Sequence, residues 1–140
     1  MLQIIPNLHF SGQCKQALEL YKKAFNARVD ILLCESDANP ADFFASDSTR
    51  DLVYHCEMYI GGQRITLNDS HDSNAAQLSH SMSLIITFAS AGEVKAAYSL
   101  LSDGCKIIHH IQSTSYSSCF VSLIDRFGMR WELMTEQTEI

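Results

Sequence analysis

Gly62-Gln-Arg-Ile-Thr-Leu67 returns later in the chain as Gly128-Met-Arg-Trp-Glu-Leu133: a glycine turn, then a strand with arginine at the same step. Outward from these two stretches more of the chain doubles. Ile4–Asn26 reads as a strand followed by a helix, and Ser83–Gly104 reads the same way. Phe10-Ser11 and Phe88-Ala89 close the two strands, and Tyr21 and Tyr98 sit at matching points on the two helices. Repetition of this kind marks one supersecondary unit built twice. The expectation is an α+β fold of two βαβββ modules, about 1–70 and 80–135, within a single domain 1–140. Such a duplication places a cleft between or within the modules, and the residues facing it decide the function.

Periodicity fills in the elements. Leu2–Phe10 is predicted as a strand with Leu8 and Phe10 on one face and Ile5, Asn7 and His9 on the other. A helix follows from about Gln13 to Phe25, with Cys14, Ala17, Leu18, Tyr21 and Phe25 as its apolar stripe. Asn26 can take the left-handed conformation that ends it. Arg28–Cys34 is the second strand. Val53–Ile60 alternates, Tyr54, Cys56, Met58 and Ile60 against His55, Glu57 and Tyr59. Gly61-Gly62 makes a hairpin turn into Arg64–Asn68. Asp69–His80, polar and without repeat, reads as the linker.

The second half runs Met82–Phe88, then a helix entered through the capping-box spacing Ser90-Ala-Gly-Glu93 and stopped at Gly104. Val94, Ala97, Tyr98 and Leu101 form its stripe. Lys106–Ile111, Ser118–Ile124 and Arg130–Met134 are the last strands, and Thr135–Ile140 reads as a frayed tail. Between Asn26 and Gly62 lie about a dozen more residues than between Gly104 and Gly128. The excess is Glu35–Asp51, a loop or lid with five acids against Arg50 alone, and with Phe43-Phe44 expected to tuck inward.

Composition narrows the functional classes. The 140 residues are 46% hydrophobic and 19% charged, enough to bury a core. A net charge of −6, with ten scattered basic residues, argues against nucleic acid as a partner. No apolar run approaches the ~20 residues of a membrane helix, and the N-terminus lacks the pattern of a leader, so no membrane association and a cytoplasmic location are expected. Cys14, Cys34, Cys56, Cys105 and Cys119 are odd in number and include no C-x-x-C pair. They read as reduced, mostly buried thiols without zinc spacing.

Opposite the apolar stripes the strands are polar. Asn7 and His9, His55 and Glu57, Arg64, Thr66 and Asn68, then Ser83, Ile85 and Thr87, and finally Arg130, Glu132 and Met134 share the remaining faces. These faces either bind a ligand or are simply solvated surface. His55 and Glu57 point the same way two residues apart. They could be a hydrogen-bonded pair, an acid–base pair in which the carboxylate orients the imidazole, or part of a metal site with His9 or Glu132. His109 and His110 face opposite ways on a strand and cannot chelate together.

The opening Ile5-Pro-Asn-Leu-His-Phe-Ser-Gly12 leading into Ala17-Leu-Glu-Leu-Tyr21, the segment Val53-Tyr-His-Cys-Glu-Met-Tyr-Ile-Gly-Gly62 and the close Asp125-Arg-Phe-Gly-Met-Arg-Trp-Glu132 resemble the vicinal oxygen chelate superfamily over about the whole chain. That group holds glyoxalase I, bleomycin-resistance proteins and extradiol dioxygenases. The nearer likeness is to its PhnB-like branch, often labelled demethylubiquinone-methyltransferase-like. The resemblance implies two curved mixed sheets around a concave cleft and a homodimer. It also implies four metal-ligand positions, which fall here at Ile5 (or Pro6), Thr66, Ser83 and Glu132. Only Glu132 is a good ligand, so the chain departs from the metalloenzyme pattern at three of four places. Tyr116, where the branch usually has an aromatic residue near the pocket mouth, either walls the site or is an exposed loop tyrosine.

The expectation is therefore metal-independent binding of a small polar molecule by Asn7, His9, His55, Glu57, Arg64, Thr66, Ser83, Tyr116, Arg130 and Glu132, with no metal and no cofactor. The alternative is a metal-dependent lyase, isomerase or dioxygenase with its metal relocated around His9, His55, Glu57 and Glu132. A third reading is an interaction protein using the acidic loop. Methyl transfer finds no support, since no Gly-rich cofactor loop follows a strand.

Overall fold

A computed structural model of the chain describes residues 1–71 and 81–136. It falls into two compact units, Met1–Ala76 and Gln77–Ile140, each built as βαβββ. The first unit runs β1 (Asn7–Phe10), α1 (Cys14–Phe25), β2 (Arg28–Cys34), β3 (Val53–Ile60) and β4 (Gln63–Asp69). The second runs β5 (Leu84–Phe88), α2 (Ala91–Leu101), β6 (Lys106–Gln112), β7 (Phe120–Ile124) and β8 (Arg130–Thr135). The sheets are ordered β1-β4-β3-β2 and β5-β8-β7-β6, with a parallel pair at β1–β4 and at β5–β8 and antiparallel pairs elsewhere. The internal repeat is thus a repeat of structure.

Each helix covers the apolar face of its own sheet. In the first unit Phe10, Cys56, Met58, Ile65 and Leu67 are buried under Ala17, Leu18, Tyr21 and Phe25 of α1. Phe10 and Phe25 lie with ring centroids 6.5 and 5.9 Å from that of Tyr21. In the second, Val121, Leu123, Trp131 and Leu133 are fully buried on the side of Val94, Ala97 and Leu101. Tyr98 is only half-buried. Burying each such side chain contributes about 1.5–3 kcal/mol.

The helix ends follow local chemistry. Asn26, at φ 55°, is the left-handed cap of α1, its N–H bonded to the Tyr21 carbonyl. Ser90 caps α2 by accepting from the Glu93 N–H, while the Glu93 carboxylate accepts from the Ala89 N–H. That helix ends before Gly104: Leu101 is its last residue, Ser102 is its C-cap, and Gly104 (φ +73°) serves the turn into β6.

Several expected boundaries move, for identifiable reasons. β1 starts at Asn7 rather than Leu2, because Pro6 has no N–H to give the ladder; its carbonyl still accepts from Thr66 N, 2.9 Å. Met1, Leu2 and Ile4 are exposed. Ser83 lies one residue before β5, and Ser118 two before β7. Phe43 stacks between Tyr54 (5.6 Å) and His71 (5.8 Å), but Phe44 is exposed. The predicted linker and tail lie partly outside the described residues, at 72–80 and 137–140.

Two of their residues belong to the sheets. Asp69 ends β4 and is 5% exposed; Thr135 ends β8 and is 6% exposed. The Asp69 carboxylate accepts from Cys14 N (3.0 Å) at the start of α1 and from Val53 N (2.9 Å) at the start of β3. Thr135 Oγ1 accepts from Ser118 N (3.0 Å) and Cys119 N (3.3 Å), just before β7. Both are paired with the last residue of the first strand, Phe10 and Phe88. The same structural position is filled twice by a buried polar side chain that collects backbone N–H groups.

The D-R-F-G-x-x-W close is also a structural device. Buried Asp125 accepts from Phe127 N (2.9 Å) and Met129 N (3.1 Å) through Oδ1, and from the Trp131 indole N–H (2.8 Å) through Oδ2.

Asp69→Ala strands two buried N–H donors and should lower the unfolding free energy by about 2–4 kcal/mol in urea titration, with Asp69→Asn losing less. Cys56 supplies a second expectation. Burial pushes its thiol up from 9.0 to about 11, with the Glu57 carboxylate adding to the rise and Lys22 opposing it. Burial, then Asp69 and Cys56, also pushes the Cys14 thiol up. The folded state therefore holds these protons more tightly than the unfolded chain. The stability they contribute is present below pH 9 and declines from there through about 11. Melting temperature followed from pH 8 to 11 should fall, and fall less steeply in Cys56→Ala.

Candidate functional site

Strand parity gives each sheet a second face, away from its helix. In the first unit the register sets Asn7 beside Thr66, Thr66 beside Glu57 and Glu57 beside Ile31. Arg64 lies beside Tyr59, and His9 beside Asn68. The residues expected for this module, Asn7, His9, His55, Glu57, Arg64 and Thr66, therefore all stand on one face.

Glu57 is the centre of a cluster there. Its side chain is 19% exposed. Oε2 is 3.0 Å from His55 Nε2, and Oε1 is 3.6 Å from Arg64 Nη1. A carboxylate only accepts, so Nε2 of His55 carries the hydrogen of this contact. Arg64 also reaches Gln3 Oε1 from Nη2, 3.5 Å. Thr66 donates to Asn7 Oδ1, 2.8 Å. His9 is exposed beside this group. Buried Arg64 Nε and Asn68 Oδ1 have no hydrogen-bond partner.

The second unit repeats the frame with different residues. Ile85 lies beside Glu132, Glu132 beside Ser122 and Ser122 beside His109. Glu132, 14% exposed, accepts from Ser83 Oγ (2.8 Å) and pairs with Arg130 Nη2 (3.5 Å), both at Oε1. Tyr116 is exposed and meets Phe120 edge-on at 6.0 Å. Phe120 lies 6.4 Å from the His109 ring. So Ser83, Arg130 and Glu132 are brought together, and Tyr116 reaches the same face through Phe120.

Superposing the two registers makes Thr66 the counterpart of Glu132, and Glu57 the counterpart of Ser122. Each unit has one central carboxylate, carried on β3 in the first and on β8 in the second. Each carboxylate is paired with the arginine of the repeated Gly-x-Arg segment. Sequence reasoning missed Ser122, Phe120 and His109 as members of this face. The alternation on β7 was the signal for the first two, because Ser122 shares parity with Phe120 and is paired with Glu132.

The metal positions implied by the superfamily fail on donor chemistry. Ile5 has no donor atom, Pro6 has only its carbonyl, which accepts from Thr66 N, and the neutral hydroxyls of Thr66 and Ser83 are weak ligands for a divalent ion. One carboxylate remains, too few for a catalytic divalent ion. Among the described residues no three His, Cys, Asp or Glu side chains gather as a metal-holding group. Also among them, no helix is long and apolar enough to cross a membrane.

Ser122 is wholly buried, and its Oγ has no hydrogen-bond partner. Ser122→Ala should therefore leave stability unchanged or raise it by up to about 1 kcal/mol. Thr135→Val, which removes a used acceptor, should lower it in the same thermal or urea titration.

The chain is similar to solved structures over nearly its whole length. Protein PA1353 from Pseudomonas aeruginosa aligns with a TM-score of 0.84 at 23% identity, covering 99% of this chain and 100% of the other. A putative 3-demethylubiquinone-9 3-methyltransferase, PhnB protein, from Bacillus cereus aligns at 0.80 and 21%, covering 96% and 99%. A glyoxylase/bleomycin resistance protein/dioxygenase domain from Frankia aligns at 0.66 and 11%, covering 98% and 99%. These likenesses establish the fold. Among curated proteins nothing matches the chain. The family model described as 3-demethylubiquinone-9 3-methyltransferase matches residues 2–134. With its two βαβββ modules and that match, the chain belongs to this family, a PhnB-like branch of the glyoxalase/bleomycin-resistance, or vicinal oxygen chelate, superfamily.

Proposed function

We propose that this protein binds a small polar molecule on the polar faces of its sheets and does so without a metal ion. The observation that carries the reading is the Glu57 cluster. It sets a carboxylate, a guanidinium and an imidazole side by side on a strand face whose neighbours are Asn7 and Thr66. A strand face that were merely solvated would not need its charges gathered on one part-buried carboxylate. Such a face presents donors and acceptors of both signs, which suits a neutral or zwitterionic ligand. The Glu132–Arg130–Ser83 group offers a second, similar set. The donor chemistry at Ile5, Thr66 and Ser83 favours the metal-independent form of the reading. The methyl transfer in the family's description has no matching cofactor loop in this sequence, so it does not enter the proposal.

Two measurements test it. Elemental mass spectrometry, before and after soaking with divalent ions, should find no stoichiometric metal. About one tightly held ion per chain, lost in Glu132→Ala, would favour the metal-dependent lyase, isomerase or dioxygenase reading instead. Thermal-shift screening of sugars, hydroxy acids and amino acids should then find a stabilising compound. At a hundredfold excess over Kd, stabilisation is about 2.7 kcal/mol. The shift should vanish in Glu57→Ala/Arg64→Ala, and a shift that survives that double change would remove the Glu57 face from the reading.

A further inference from the structure

We infer that residues 35–51 form a strap that lifts off the end of the first sheet as a unit while the sheet stays folded, and that the contact between Glu35 and His71 is its latch.

The hydrogen bonds separate the segment from the sheet. Among the described residues, those of residues 39–49 stay within 39–52. The Asn39 carbonyl accepts from Asp42 N (2.8 Å) and Phe43 N (3.1 Å), and its side chain accepts from Ala41 N (3.0 Å). The Ser46 carbonyl accepts from Thr49 N (3.2 Å), and the two hydroxyls lie 2.8 Å apart. A segment with its own turns keeps them when its few ties to the rest are cut.

Those ties are of two kinds. At the base, Glu35 N donates to Leu52 O (2.8 Å) and Ser36 N to Arg50 O (3.0 Å). Further out, Phe43 lies between the ring of Tyr54 on β3 and that of His71, two residues past β4, and Glu35 Oε2 lies 2.6 Å from His71 Nε2. The start of β3 is fastened separately, because Val53 N donates to the Asp69 carboxylate (2.9 Å). The sheet therefore keeps its own cap when the strap lifts.

The latch carries a cost that opening removes. The Glu35 side chain is 2% exposed, whereas that of His71 is 51% exposed. Burial takes the Glu35 carboxylate out of water, and one of its oxygens receives nothing in return: Oε1 is buried without a hydrogen-bond partner. Lifting the strap returns both oxygens to water. The ring stack and the His71 contact favour closure, and the orphaned oxygen opposes it. Opposed terms of this kind give a local opening that the sheet core does not share.

Trypsin reads the opening in the full chain. Between Arg28 and Arg64 the only lysine or arginine is Arg50. The carbonyl of its scissile bond is the acceptor for Ser36 N, so a cut there needs the base of the strap undone. The expected first cut, identified by mass spectrometry, falls after Arg50, at a rate that low urea hardly changes. His71→Ala leaves the buried carboxylate without its partner and should speed this cut about 10–100-fold. Phe43→Ala should speed it too, whereas Phe44→Ala, which removes an exposed ring, should not. In Glu35→Ala/His71→Ala the acceleration should fall short of the product of the two single effects by about threefold or more, since the contact is lost only once. The urea midpoint of each variant shows whether the sheet is folded, and His71→Gln replaces His71→Ala if the latter is not.

Cleavage after Arg50 that rises with urea in step with global unfolding would overturn the inference, as would no cut there in the folded chain. Equal rates in the unmodified chain and in the folded His71 and Phe43 variants would overturn it as well, because the cut would then be made on the closed loop. Single effects of Glu35→Ala and His71→Ala that simply multiply would overturn the latch.

Discussion

A buried polar side chain at the end of the last strand holds each unit together, because it answers a problem the fold creates. In a βαβββ unit the third strand enters the sheet from a loop, and its first backbone N–H groups are buried before the ladder can satisfy them. Unpaired buried donors cost about 1–3 kcal/mol each. Asp69 and Thr135 supply the acceptors, 2.9 Å from Val53 N in one unit and 3.3 Å from Cys119 N in the other. Asp69 also binds Cys14 N at the positive end of α1, which fixes the helix against the sheet end and favours the carboxylate's charge. The Cys14 thiol lies in the field of that carboxylate, one reason besides burial that it resists ionisation.

Once the helix is fixed on one face, parity determines the other. Residues that alternate with Cys56, Met58, Ile65 and Leu67 must point away from α1, and those residues are His55, Glu57, Arg64 and Thr66. The side chains left for the proposed binding are therefore those that the core does not need. The two units use this freedom differently. The arginine position is kept in both, while the carboxylate moves from β3 in the first to β8 in the second and leaves Ser122 buried where Glu57 would be. The duplication preserved the frame and changed the chemistry, so the faces are not equivalent: the first has a histidine on its carboxylate and the second a serine.

How far the residues could be read in advance depended on whether local pattern or remote pairing decided the matter. The helix stripes, Asn26 as a cap, the Gly61-Gly62 hairpin and the strand faces at Val53–Ile60 follow from local periodicity and were legible. Asp69 was assigned to the linker because the stretch it opens is polar and without repeat, and Thr135 to the frayed tail that follows the last strand. Their partners lie 55 and 17 residues away, and no local pattern shows them. Leu2–Phe10 read as a long strand, but Pro6 and the reach of β4 stop the ladder at Asn7. Phe43 and Phe44 were indistinguishable by sequence, and the ring stack with Tyr54 and His71 chose Phe43.

By itself, the sequence determined the doubled βαβββ order, the helix-facing stripes and the set of polar residues left on the opposite faces, because these depend on spacing of 2 and 3.6 residues along the chain. Only the tertiary structure decided that Glu57 gathers both His55 and Arg64, that Ser83 and Arg130 share one oxygen of Glu132, and that Tyr116 reaches the same face through Phe120. Each of these depends on register between strands and on which rotamer the neighbours permit. A chain records which residues share a face, while their distances are settled only when the strands pair.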